Sequence, residues 1–150
     1  MKASINAINL IKRFEGCSAT AYQDSGGLWT IGVGHLIGNG KLLPVEFVKP
    51  ITQAKIDELL ISDMASTQRA INLRFTMPLE QYEYDALVCI GFNIGAGALG
   101  NSSIYKQIAL GNKQKAAEHF MDWIYVKRKV IKGLVNRRKA EQALFLNNIG

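Results

Sequence analysis

Two carboxylates and a hydroxyl lie within one short, glycine-rich stretch near the N-terminus: Glu15, Asp24 and Thr30. Cleaving an acetal needs one acid to protonate the leaving oxygen and one carboxylate to activate water or attack carbon. The pair therefore suggests glycoside hydrolysis, with the Thr30 hydroxyl holding a water beside Asp24. On spacing alone the signal is weak, because a Glu at a helix end and an Asp in a turn more often serve as a cap or an Asx turn.

The elements around these residues suit the two roles. Apolar spacing predicts a short amphipathic helix over residues 4–13, which places Glu15 just past its end beside Phe14. Partial burial there would keep the carboxyl protonated as a general acid. Asp24 begins the polar turn DSGG, so we expect it to stay ionised. The glycines that follow keep side chains away, so that a bulky polymer can approach the backbone.

The whole stretch resembles the phage-type lysozymes, the endolysin muramidases of glycoside hydrolase family 24. In that family a catalytic Glu is followed by an Asp nine residues on, a Thr six further, and then Ile-Gly-x-Gly-His, as in residues 15–35 here. Two more blocks match in the right order. QYEYDALVCIGFNIGAGALGNSSI (81–104) is similar to the family's helix-and-loop block, and GLVNRRKAEQALFL (133–146) to its C-terminal helix.

The resemblance implies a muramidase that hydrolyses the β-1,4 bond between N-acetylmuramic acid and N-acetylglucosamine in peptidoglycan and causes host cell lysis. Glu15 would be the proton donor, and Asp24 with Thr30 would position the water. Inversion of configuration is favoured by analogy. A chitinase-like breadth of substrate stays open.

Substrate contacts are expected at Gly34, Asn93, Arg137 and Arg138. One of the two arginines resembles the arginine that pairs with the catalytic glutamate, and the sequence does not choose between them. Asn93 and the loop after it are predicted to form a sugar-binding wall, with a simple helix end as the alternative.

Other residues that often carry chemistry are given structural interpretations. His35 is expected to be a scaffold residue, His119 has no partner motif, and Trp123 is expected in the core. Tyr22 and Trp29 stay open between sugar stacking and packing. No His, Asp, Glu or Cys cluster has metal-ligand spacing, so we predict neither a metal nor a cofactor.

The pattern along the chain predicts an α+β, lysozyme-like fold in one domain covering residues 1–150. A small N-terminal antiparallel β lobe (about 14–50) of two or three strands and a larger all-helical lobe (about 75–150, plus the N-terminal helix) would be joined by a long helix over roughly 51–74, with an active-site cleft between them. Later helices are predicted to start near Pro78, at Ser102 or Ser103, at Asn112 and after Gly133.

Positive charge is concentrated in the last third of the chain. Residues 101–150 hold ten Lys and Arg against three Asp and Glu, and the run over 127–139 has seven basic residues and no acid. Such a run predicts attraction to a polyanion, or else a solvated helix face. The alternative function is thus a membrane-active or wall-binding protein that contacts anionic lipid or wall polymer through 127–139 without glycosidase chemistry. A nucleic-acid-binding module lacks any recognition motif.

Cys17 and Cys89 fit no paired spacing and are interpreted as free thiols, although a single disulfide stays open. No apolar run reaches the roughly 20 residues of a membrane span, and polar residues interrupt the N-terminus before a signal-peptide core forms. We expect a monomer in the host cytoplasm that reaches the wall through a separate holin.

Overall fold

The computed structural model describes residues 1–23, 27–37 and 43–148. Within these ranges the chain forms seven α-helices, a three-stranded antiparallel sheet and a two-stranded hairpin, which confirms the predicted α+β class. The helices are Ile5–Glu15 (α1), Gln53–Arg74 (α2), Gln81–Ile94 (α3), Ala96–Gly100 (α4), Ser103–Ala109 (α5), Lys113–Glu118 (α6) and Lys132–Phe145 (α7). The strands are Ser18–Gln23 (β1), Trp29–Gly32 (β2), His35–Leu36 (β3), Tyr125–Val126 (β4) and Lys129–Val130 (β5).

The fold divides into two compact units. The sheet unit is Ile11–Ala65, and the helical unit is Met1–Leu10 together with the chain from Ser66 onward. The division falls inside α1 and inside α2, so each of these helices contributes residues to both units. The single domain and its lobe limits stay predictions.

The sheet unit is organised around β2, which pairs with β1 on one side and β3 on the other. Its core is formed by Ile31, Ile37 and Phe47, each at most 6% exposed. Burying these side chains on one side of a small sheet supplies the apolar area that a two-stranded hairpin lacks. Three strands agree with the expected two or three.

The long helix α2 closely matches its predicted span. Its first turn is capped by Thr52, whose hydroxyl oxygen accepts a hydrogen bond from the Lys55 N–H at 3.1 Å. Apolar residues at helical spacing, including Ile56 and Leu60, are at most 2% exposed. The 3.6-residue period was therefore a sound guide to this helix.

In the helical unit, α3 is the central helix, and it packs against α7. The expected start near Pro78 is wrong: Glu80 is the N-cap, and its side chain and that of Glu83 satisfy each other's backbone N–H groups in a capping box. Every residue from Glu83 to Gly91 is buried.

The start of α1 is fixed by a buried carboxylate. The Ser4 N–H donates to Oδ1 of Asp85 at 2.8 Å, and the Ser4 hydroxyl donates to Oδ2. Asp85 is completely buried, so these donors offset the cost of removing its charge from water.

Two elements of the helical unit differ from expectation. α4 forms where the glycine-rich sequence predicted only a break, and α6 ends at Glu118, followed by a 3-10 turn. The basic run over 127–139 begins in the β4–β5 hairpin and enters α7 only at Lys132, so it is not one helix face. Lys127 and Arg128 form the hairpin turn with φ of 51° and 68°, a left-handed backbone that favours Asn-Gly.

Candidate active site

Glu15 is the last residue of α1 rather than the residue beyond its end. The helix stops because Gly16 adopts a φ of 74°, which glycine tolerates at a helix C-terminus. The Glu15 side chain is half-buried. It therefore presents a carboxylate at a helix end that solvent still reaches.

The turn between β2 and β3 lies against this carboxylate. Gly34 there has a φ of 68°, and a Cβ placed on it would lie 3.3 Å from Oε2 of Glu15. A side chain would thus crowd the carboxylate and strain the backbone. The structure brings the predicted residues Glu15 and Gly34 together.

Thr30 occupies the middle of the sheet, on β2 between Tyr22 of β1 and Leu36 of β3. It is 4% exposed, and its hydroxyl donates to the Leu28 carbonyl at 3.2 Å. The hydroxyl oxygen keeps its lone pairs for an incoming donor. Asp24, the third member of the predicted set, lies outside the described residues.

His35 makes a scaffold contact, as expected. Its Nδ1 lies 2.8 and 3.1 Å from the two carboxylate oxygens of Asp63, which joins β3 to α2. His119, for which no partner motif was found, pairs with Asp122, with 2.8 Å between Nδ1 and Oδ2.

A second ion pair braces α1 on α2. Lys12 Nζ lies 2.9 Å from Oδ1 of Asp57, and the Gln53 side-chain amide donates to the same oxygen at 3.0 Å. The pKa of Asp57 is lowered, first by the hydrogen bond from Lys12 and then by that from Gln53. This pair holds the segment of α1 that leads to Glu15.

The helical unit holds a buried charged cluster, which we define as Arg137, Arg138 and Glu141. Arg138 donates from one terminal nitrogen to Oε1 of Glu141 at 2.6 Å, and Arg137 donates from Nε to Oε2 at 3.1 Å. Arg137 also donates to the Cys89 carbonyl at 3.0 Å. Burial raises the pKa of Glu141, while the two arginines act in the lowering direction.

Arg138 connects the buried charged cluster to the surface. Its Nε donates to the Trp123 carbonyl at 2.9 Å, and its second terminal nitrogen donates to Oδ1 of Asn93. Asn93 is exposed at the end of α3. It lines an open concavity of about 500 Å³ within the helical unit, together with Trp123 and Tyr125.

Tyr22 and Trp29, which the sequence left undecided between sugar stacking and packing, lie in different surroundings. Trp29 packs against the core of the sheet unit, whereas Tyr22 is 41% exposed. Trp123 is half-buried and lines the concavity, so its assignment to the core was wrong. The 3-10 turn that ends at Trp123 explains the difference, because it takes the ring off the helical stripe.

Glu141 belongs to the C-terminal block that resembles the family, but no role was predicted for it; it is completely buried. The signal was present, since this acid follows the two arginines at three- and four-residue spacing, where side chains on a helix meet. Among the described residues, no group of three His, Cys, Asp or Glu side chains could hold a metal ion. In the same part of the chain, no helix combines the length and the apolar character of a membrane span.

The family model for phage lysozyme matches residues 12–141 of this chain. The endolysin of Salmonella phage P22 is 40% identical over 153 residues, covering 98% of this chain and 99% of its own. The endolysin of Acyrthosiphon pisum secondary endosymbiont phage 1 is 36% identical over 149 residues, with 97% and 98% covered. Among solved structures, the endolysin from Escherichia coli O157:H7 phage FAHEc1 superimposes with a TM-score of 0.88 at 35% identity, covering 99% of this chain and 96% of that one.

Fold and sequence together define a glycoside hydrolase of the lysozyme class, with bacterial peptidoglycan as its substrate. The chain belongs to the phage lysozyme family. The predicted resemblance and lysozyme-like fold are confirmed.

Proposed function

We propose that this phage lysozyme cuts the β-1,4 bond between N-acetylmuramic acid and N-acetylglucosamine, with Glu15 as the general acid. The observation that carries the proposal is the Glu15 carboxylate at the end of α1, facing a turn whose glycine leaves the space beside it open. A proton donor must reach the glycosidic oxygen of a bulky polymer, and the missing Cβ of Gly34 gives it room.

Asp24 is assigned the ionised role, with Thr30 as the residue that holds the attacking water. The Thr30 position on β2 supports this, because the residue is fixed by strands on both sides. A carboxylate that activates water rather than attacking carbon leads to single displacement with inversion. Gly34 and Asn93 are proposed as sugar contacts, and which of Arg137 and Arg138 pairs with the catalytic glutamate stays a prediction.

The experiment compares wild type with Glu15→Gln on purified, protein-free peptidoglycan, measuring the reducing ends released. The amide cannot donate the proton, so we expect release to fall by at least about a hundredfold. Glu46→Gln, a change of the same type at an exposed residue, is the matched control and should leave release unchanged. Circular dichroism checks that all three proteins are folded. Undiminished release by Glu15→Gln would remove the central assignment.

Stereochemistry is a separate test. Proton NMR of the first products formed by wild type should show the α-anomer before mutarotation, because a single displacement inverts the β-bond. The β-anomer as first product would show a double displacement and contradict the assignment of Asp24 and Thr30 to the activation of water.

A second proposal concerns contact with anionic surfaces, and the β4–β5 hairpin favours it. Four apolar side chains there are 40–56% exposed, beside the cations Lys127, Arg128 and Lys129. Exposed apolar groups flanked by cations are typical of surfaces that meet anionic lipid or wall polymer. Co-sedimentation with vesicles containing phosphatidylglycerol should exceed that with phosphatidylcholine alone, and Glu15→Gln should sediment equally. Equal sedimentation with both vesicles would contradict it.

A further inference from the structure

We propose that Arg138 is a positioning residue, which fixes the side-chain amide of Asn93 so that its NH₂ group faces the concavity and contacts the glycan only as a hydrogen-bond donor. The inference rests on the proposed role of Asn93 as a sugar contact. It adds which end of the amide meets the sugar, and which residues decide that.

The orientation follows from the chemistry of the arginine. A guanidinium has five N–H donors and no acceptor, so the group that faces it must be the amide oxygen. The hydrogen bond from Arg138 to Oδ1 of Asn93 therefore turns Nδ2 away from the buried charged cluster. If the amide were rotated by 180°, its NH₂ group would face an N–H group of Arg138, and two donors cannot form a hydrogen bond.

The arginine is itself held in place. Its Nε donates to the Trp123 carbonyl at 2.9 Å, and a terminal nitrogen donates to Glu141 at 2.6 Å. Only 1% of Arg138 is exposed, so it does not offer its own surface to a polymer. Glu141, completely buried, fixes Arg138 and Arg137 together. Arg138 thus links the buried carboxylate of Glu141 to the exposed amide of Asn93, and the ion pair fixes the orientation of that amide.

The exposed end of the amide faces suitable surroundings. Asn93 shares its concavity with the ring of Trp123 and with Tyr125, which offer apolar surface to a sugar ring. Across the described residues, the hydrogen bonds of the Asn93 side chain include none donated by Nδ2. A pair of N–H donors beside aromatic surface fits an acceptor oxygen of the glycan, such as the acetamido carbonyl that each of its sugars carries.

Two substitutions at Asn93 separate this role from a merely structural one. Asn93→Asp keeps an oxygen for Arg138, now charged, and replaces the NH₂ donor by an acceptor. Asn93→Ala removes both. If Asn93 served only to satisfy Arg138, the aspartate would be harmless and the alanine damaging. If its NH₂ meets the glycan, the aspartate loses that contact while still stabilising the arginine.

The test is made in the Glu15→Gln protein, by calorimetric titration with soluble, peptide-free glycan strands. We expect Asn93→Asp to bind about three- to tenfold more weakly than its parent, the usual effect of one lost hydrogen bond. Asn93→Ala should lose at least as much. In thermal unfolding, the aspartate should melt at or above the parent and the alanine below it. Asn93→Asp would then be weaker than its parent in glycan binding but not in stability, whereas Asn93→Ala would be weaker in both.

Binding of Asn93→Asp equal to that of the parent would overturn the proposal, and so would a melting temperature below that of Asn93→Ala. Arg138→Lys gives an independent check, because its three bonds come from three different nitrogens of the guanidinium, and the single nitrogen of an ammonium cannot reproduce that spread. It should weaken glycan binding, and adding Asn93→Asp to it should weaken binding little further. Failure of the proposed function itself shows elsewhere, as absent release of reducing ends by wild type.

Discussion

The carboxylate of Glu15 in the sheet unit stays within reach of solvent, whereas three charged side chains of the helical unit, Arg137, Arg138 and Glu141, are buried. Glu15 is half-buried, and the turn that contains Gly34 lies against its carboxylate. Arg138 and Glu141 are at most 1% exposed and satisfy each other. The difference is that the proposed proton donor keeps a path to solvent, while the buried charges of the helical unit are held by one another. Changes in the first region should therefore affect activity, and changes in the second should affect stability first.

The largest effect is expected from Glu141→Ala, which leaves two buried guanidiniums without their shared carboxylate. Breaking a buried ion pair from one side typically costs about 3–5 kcal/mol of unfolding free energy. Urea unfolding followed by circular dichroism measures it. Glu118→Ala, at an exposed residue, is the matched control and should change the midpoint little. A loss at Glu141 no larger than at Glu118 would mean that the buried charged cluster adds nothing.

A smaller effect on stability, with a larger one on activity, is expected from Gly34→Ala. A left-handed backbone costs a non-glycine residue about 1–2 kcal/mol. In addition, the new methyl group would lie 3.3 Å from the Glu15 carboxylate oxygen. Release of reducing ends should fall well beyond what the lost stability explains. Gly133→Ala is the control, because Gly133 has open space around it and lies in α7. Full activity of Gly34→Ala would separate that turn from catalysis.

The ion pair between Lys12 and Asp57 should make the unfolding free energy depend on pH in the acid range. The pKa of Asp57 is lower in the folded state, so its stabilising contribution is complete above the unfolded value, about 3.9, and is lost as the pH falls through the folded value. Asp57→Asn should therefore lower stability at pH 7 and flatten the pH dependence below about pH 4, so that the two curves approach each other at low pH. Unfolding midpoints of both proteins between pH 2 and 7 test this, and parallel curves would contradict it.

The smallest expected effect concerns the two cysteines, and it is measured by counting the thiols that react. Cys17 is exposed and Cys89 is buried, with its Sγ 3.5 Å from the Ala7 carbonyl. Burial also raises the pKa of Cys89 well above its usual value, which suppresses the reactive thiolate. The folded protein should titrate one thiol with a disulfide reagent, and the urea-unfolded protein two. Two rapid thiols under native conditions would mean that the helical unit opens readily.

The sequence predicted most of the sheet unit and the longest helix, because turn glycines and apolar periodicity are local signals. The β4–β5 hairpin was not predicted, because its turn is Lys127-Arg128 and contains no glycine or asparagine that would indicate a turn. α4 was hidden by the glycines of its own sequence. The spacing identified Gly34 as a candidate, but its contact with Glu15 depends on the tertiary structure and could not be predicted. The partnership of Arg138 with Asn93 joins residues 45 positions apart and has no local signature.

The hairpin turn allows the stability of this segment to be separated from its charge. Two adjacent long cations in left-handed conformation forgo stability that Asn-Gly would supply without changing the strands. Replacing Lys127 and Arg128 by Asn-Gly should therefore give a more stable hairpin that lacks both cations. Any property that this variant loses depends on the two side chains themselves and not on the folding of the strands that carry them.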